Sequence, residues 1–206
     1  MERVDAWMAC FALAMALVWG LARWNGMLGG GRSGWWRRKS QQRADCRQHF
    51  MAAAHLLARA RRQRKELADE GRRSRGKSSS LARDAIRECD VAIACDPRDA
   101  APHIVKALAL QHLGHLTAAL RSLNTALSPP ASKSLTESER VEALIKRASI
   151  SLDAFKTKRG VKAAIADLEE CLALDSSPQS AAADAARQML ASCYQRMGGG
   201  ASRVHE

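Results

Sequence analysis

A chain of 206 residues with 47% apolar side chains can bury one core of ordinary size, and its low aromatic content of 4%, set against abundant alanine and leucine, favours helix. Its formal charge of +12 is unevenly spread: residues 1–80 hold 17 Lys/Arg against 6 Asp/Glu, and residues 81–206 hold 16 against 15. These numbers exclude a sheet-based fold, for which strand formers are too few, and confine the basicity to the N-terminal part.

In chain order, the first feature is Ala6 to Ala22 (AWMACFALAMALVWGLA), an uncharged run of 17 residues at the short end of what crosses a hydrocarbon core. Trp7, Trp19 and Trp24 lie near its ends, at the headgroup level indoles prefer. Arg23, Arg32, Arg37, Arg38, Lys39 and Arg43 follow it, whereas Glu2 and Asp5 outnumber Arg3 before it. Positive flanks stay cytosolic, so the expectation is a membrane anchor over 1–24 with the rest of the chain in the cytosol. A cleaved signal ending near Gly20-Leu21-Ala22 competes with this reading, but its n-region would normally be positive. The alanine-rich span and arginine cluster resemble signal anchors of plant organelle outer-envelope and endomembrane proteins. Residues 25–43 read as a Gly-rich, then basic linker.

From residue 44 the chain repeats itself. In AIRECDVAIACDP, Ala85 and Ala92 are small residues seven apart on one helix, and Pro97 stops it. The partner helix DAAPHIVKALALQHLG has Asp99 as N-cap, Ala107 at a small site and Gly114 in the turn. ALRSLNTALSPPA, 34 residues beyond the first stretch, repeats the spacing with Ala119 and Ala126 before Ser128-Pro129-Pro130. A further copy begins with a Thr136/Glu139 capping box and places Ala148 and Ala164 at the small sites, with 11 extra residues assigned to SPPASKSLTESE and the KTKRG turn. Last come Ala191, Tyr194 and Gly198 in a final helix.

These offsets resemble the tetratricopeptide repeat (TPR) over about residues 44–198, and the layout resembles uncharacterised plant TPR-like proteins. The signature Trp and Phe of that family are absent. The expected fold is all-α: a helical-hairpin, TPR-like solenoid of about three repeats plus a capping helix, preceded by one hydrophobic helix and followed by a disordered tail at 199–206.

The resemblance implies a concave peptide groove formed by Ile104, Leu108 and Gln111, then Ile145, Lys146, Ser149 and Leu152, then Gln188, Ser192 and Gln195. Relatives that clamp a carboxylate use Lys and Asn; Lys146 matches one basic position, but Val105 stands at the Asn site and Glu142 at another basic one, so an apolar or amphipathic segment is the expected ligand. The function implied is a non-enzymatic, membrane-tethered adaptor for a protein or peptide. The alternative is a soluble basic protein of the nucleus or of RNA, suggested by RARRQRK and GRRSRGK.

Signals for chemistry are weak. Gly71 to Ser78 (GRRSRGKS) satisfies a P-loop expression, but the residues before it read as helix where a strand is required. His112 and His115 lack a third ligand. The six cysteines show no CxxC pair and read as reduced packing residues. No catalytic, cofactor or metal site, no small-molecule substrate and no nucleic-acid ligand is expected.

Overall fold

The computed structural model describes residues 41, 42, 44–66, 75–155, 157–174 and 180–198. The described residues fall almost entirely in the unit that begins at Asp45. The expected membrane span, nearly all of the linker, the first residues of the P-loop match and the tail lie outside the described residues. Among the described residues the fold is all-α, with no strand, and no helix there is long and apolar enough to cross a membrane.

The helices are α1 over residues 44–66, α2 (Arg75–Cys95), α3 (Ala100–Leu113), α4 (Leu116–Leu127), α5 (Glu137–Ala154), α6 (Lys158–Leu174) and α7 (Ala181–Gly198). A 3₁₀ turn, Ala131–Ser134, lies between α4 and α5. From α2 onward each helix packs on the next in sequence, and α5 also meets α7. Two hydrogen bonds fix α1 antiparallel to α2: His49 with Glu88 at 2.7 Å, and the Ser78 hydroxyl to the Ala60 carbonyl at 2.9 Å.

Small side chains explain why these pairs nest. Ala53, Ala60, Ala82, Ala85, Cys89 and Ala92 are all buried between α1, α2 and their neighbours. Ala107, Ala119 and Leu123 form one cluster, and Ala148, Ala164 and Leu168 belong to a larger one. A methyl-sized contact lets helix axes approach to about 8 Å, the close end of the usual range, so larger Leu and Ile neighbours can fill the flanks.

The corners follow from local chemistry. Asp99 accepts from the Ala101 amide at the start of α3, and Gly114 ends that helix at φ 84°, a left-handed conformation that glycine adopts without strain. Leu127 ends α4 just before the prolines. Thr136 and Glu139 make both halves of a capping box on α5. The 11 residues read as a tolerant insertion have a structural task as well. Ser134 accepts from the Ala100 amide at 2.9 Å and donates to the Ala131 carbonyl at 2.8 Å, thereby closing an otherwise open amide at the start of α3.

Two sequence expectations are revised. KTKRG is only partly a turn, because α6 already starts at Lys158 and buries Gly160 against the preceding corner. A Cβ on Gly160 would lie 2.5 Å from both the Cβ and the carbonyl oxygen of Phe155. Since the obstacle includes backbone, Gly160→Ala is expected to destabilise the fold by about 2 kcal/mol despite alanine's better helix propensity, read as a lowered denaturant midpoint.

The second revision concerns α7. Ala191 is exposed and so is Tyr194, whose hydroxyl meets Glu169 at 3.0 Å, while Gly198 is still helical. Ala183, Ala186 and Cys193 are the buried residues of this helix, with Met189, Leu190 and Met197 half-buried beside them. No described helix follows α7, so only the face toward α5 and α6 has anything to bury against.

In keeping with the helical reading of its flank, the described part of the P-loop match, Gly76 to Ser78, lies in the first turn of α2. With no strand delivering a phosphate-binding loop among the described residues, the P-loop match has no structural support. Pro97 is exposed in the turn between α2 and α3.

Candidate functional site

A groove crosses the odd-numbered helices. Phe50 comes from α1, Ala101, Ile104, Val105 and Leu108 from α3, Leu135 from the 3₁₀ corner, and Glu139, Glu142, Ala143 and Lys146 from α5. Its volume is about 190 Å³. α3 and α5 each supply residues spaced three or four apart, which is the stripe one face of a helix presents.

The two walls differ in chemistry. The α3 wall is aliphatic, and Val105 and Leu108 also pack toward Leu57 and Ala85, so this wall is rigidly backed by the α1/α2 hairpin. The α5 wall is charged. Glu139 is held by the capping box: it accepts from the Thr136 amide and hydroxyl, each at 2.9 Å, and these bonds lower its carboxyl pKa below the usual value. Glu142 and Lys146 are exposed, and no hydrogen bond or ion pair occupies either among the described residues.

Of the expected groove residues, the structure brings Ile104, Leu108 and Lys146 together. Ile145 is instead half-buried against the main core, as is Leu152. Gln111 and Ser149 are half-buried outside this groove, Gln188 and Gln195 are exposed on α7, and Ser192 donates to the Met189 carbonyl of its own helix. The groove is therefore not uniformly apolar: α5 turns Glu139, Glu142 and Lys146 into it. Val105 and Glu142, read as departures from a carboxylate clamp, line it beside Lys146.

A second depression of about 470 Å³ lies at the α5–α6 corner, lined by Leu152, Asp153, Phe155, Thr157, Lys158, Val161, Arg196 and Met197. It mixes two cations with a carboxylate and apolar groups.

Other polar groups are structural. His112 lies 2.6 Å from the Ser78 hydroxyl, which already donates to Ala60, so the ring nitrogen is the donor in this bond and links α1, α2 and α3. Burial, then Arg64 and Arg61, lower the His112 pKa. His115 sits exposed at the start of α4, and no group of three metal-ligating side chains occurs among the described residues. Cys89, Cys171 and Cys193 are buried, and burial pushes the Cys89 thiol up to about 12.

The fold and groove define a class, an all-helical protein with an amphipathic surface channel. The chain matches no model of a known protein family and none of the curated proteins.

Proposed function

We propose that this chain is a non-enzymatic adaptor whose helices form a TPR-like hairpin array. The groove across α1, α3 and α5 holds an amphipathic segment of another protein, and the apolar run at 6–22 tethers the array to a membrane. The single observation that carries the reading is the junction of an aliphatic wall on α3 with an unpaired carboxylate and ammonium on α5. A helical ligand fits such a channel when its apolar stripe lies on Ile104 and Leu108 and its own charges answer Glu142 and Lys146.

The repeat spacing of small residues and the sequence-neighbour packing favour the hairpin array. The positive flank after residue 22 favours the cytosolic side. In affinity capture with the full chain in detergent, Glu142→Lys combined with Lys146→Glu is expected to reduce recovery of groove partners at least tenfold while leaving the melting temperature unchanged, because both side chains are exposed. Equal recovery by the variant and the native chain would remove the groove from the function.

A further inference from the structure

The antiparallel register of α1 and α2 brings two thiols together at the open end of that hairpin. Ala60 pairs with Ser78 and His49 with Glu88, so three residues further back on α1 Cys46 lies level with about residue 91, one turn before Cys95 at the end of α2. Burial, then the neighbouring Cys95 thiol, push the Cys46 thiol up to about 11. Both are free and only half-buried, whereas Cys89, Cys171 and Cys193 are sealed in the core. Solvent-borne oxidants can therefore reach this pair and not those three.

We propose that Cys46 and Cys95 form a reversible intramolecular disulfide that fastens the start of α1 to the end of α2. With a small-molecule disulfide such as oxidised glutathione, the thiolate of one cysteine attacks a glutathione sulfur, forming a mixed disulfide and releasing one reduced glutathione. The second cysteine then attacks the protein sulfur of that adduct, forming the Cys46–Cys95 bond and releasing the second glutathione. The protein loses two electrons and two protons, and the glutathione disulfide gains them as two thiols. Reduced glutathione in excess reverses both steps.

The bond has a mechanical consequence. Phe50, on the groove wall, lies one helical turn after Cys46 on the same face of α1, and Cys95 immediately precedes the Asp96-Pro97 turn that leads into α3. Oxidation therefore ties the outermost groove helix to the corner from which the aliphatic wall begins. It also closes a loop of about 50 residues, long enough for a substantial loss of unfolded-state entropy.

The test equilibrates the full-length chain in detergent with oxidised or reduced glutathione, then blocks free thiols and maps peptides under non-reducing conditions. Oxidation is expected to link the peptides containing Cys46 and Cys95 within one chain and to raise the melting temperature by about 5–10 °C. Dithiothreitol should reverse both effects. Cys46→Ser and Cys95→Ser should each abolish the rise while keeping the reduced-state melting temperature, and Cys193→Ala, assessed by the linked peptide alone, should leave the bond intact. Stable glutathione adducts on Cys46 or Cys95 without a linked peptide, linkage only between chains, or a linked peptide pairing either thiol with a different cysteine would each overturn the proposal.

Discussion

Leu168→Ala is expected to destabilise the protein by about 3 kcal/mol, which for a chain of this size lowers the melting temperature by roughly 10 °C. Leu168 has no exposed surface and stands at the centre of the largest cluster, among Val141, Leu144, Ala148, Val161 and Ala164, with Cys171 and the α7 residues Ala186 and Cys193 beyond. Removing its isobutyl group loses hydrophobic transfer free energy. The cavity left behind cannot collapse easily, because its alanine neighbours carry only methyl groups, with no longer side chain to swing into it. Tyr194→Ala supplies the contrast. A repeat-signature tyrosine packed between helices would be costly to truncate, but this one is half exposed and should change the melting temperature little. Thermal unfolding of the two variants side by side checks both statements, and a larger loss for Tyr194 than for Leu168 would reverse the assignment of the α7 face.

Arg147→Ala should cost about 2–3 kcal/mol. Arg147, on α5, binds Asp167 on α6 through two bonds of 2.9 and 2.6 Å and reaches Asn124 on α4 at 3.3 Å. Asp167 is only 7% exposed. Deleting the guanidinium leaves a carboxylate with little water and no cationic partner, a situation more expensive than the bond itself is worth. For that reason Asp167→Asn placed on top of Arg147→Ala is expected to recover at least half of the loss, since an amide tolerates the site better than a lone charge. Urea denaturation of the two single variants and the double variant measures the coupling. Strict additivity would mean that the pair contributes nothing as a pair.

Much of the helical framework could be read from residue types alone. Asp99, Gly114, Thr136 and the Ser128-Pro129-Pro130 stop act within a few residues of their own backbone, so their effect does not depend on the rest of the fold. The recurring alanines were legible because only a small residue fits where two helices come close, and Ala85, Ala92, Ala107, Ala119, Ala126, Ala148 and Ala164 are all buried. Ala191 and Tyr194 carry the same spacing yet face outward, because burial needs a neighbour as well as a pattern, and no described helix follows α7.

Rotation was the part of the site that spacing left undecided. On α5 a shift of one residue turns the face by about 100°, enough to send Ile145 into the core and bring Glu142 and Ala143 into the groove. An apolar-face reading of α5 alone could have found this, since Val141, Leu144, Ile145, Ala148 and Leu152 form its inward stripe. The contributions of Phe50 and Leu135 had no sequence signal, because each comes from a segment outside the well-formed repeat. The capping role of Ser134 was equally hidden, as its partner Ala100 lies 34 residues earlier.

The groove's use as a binding surface is tested most directly by site-specific photo-cross-linking in cells. A photoreactive phenylalanine analogue is placed in the full chain at Ala101 or Glu142, within the groove, and separately at Val91 on α2 or Ala166 on α6, which are exposed outside it. The adaptor reading predicts discrete protein adducts from the two groove positions, lost when the charges of Glu142 and Lys146 are exchanged in the chain labelled at Ala101, and none from the two outer positions. Adducts confined to α2 or α6, or adducts to RNA in place of protein, would contradict it.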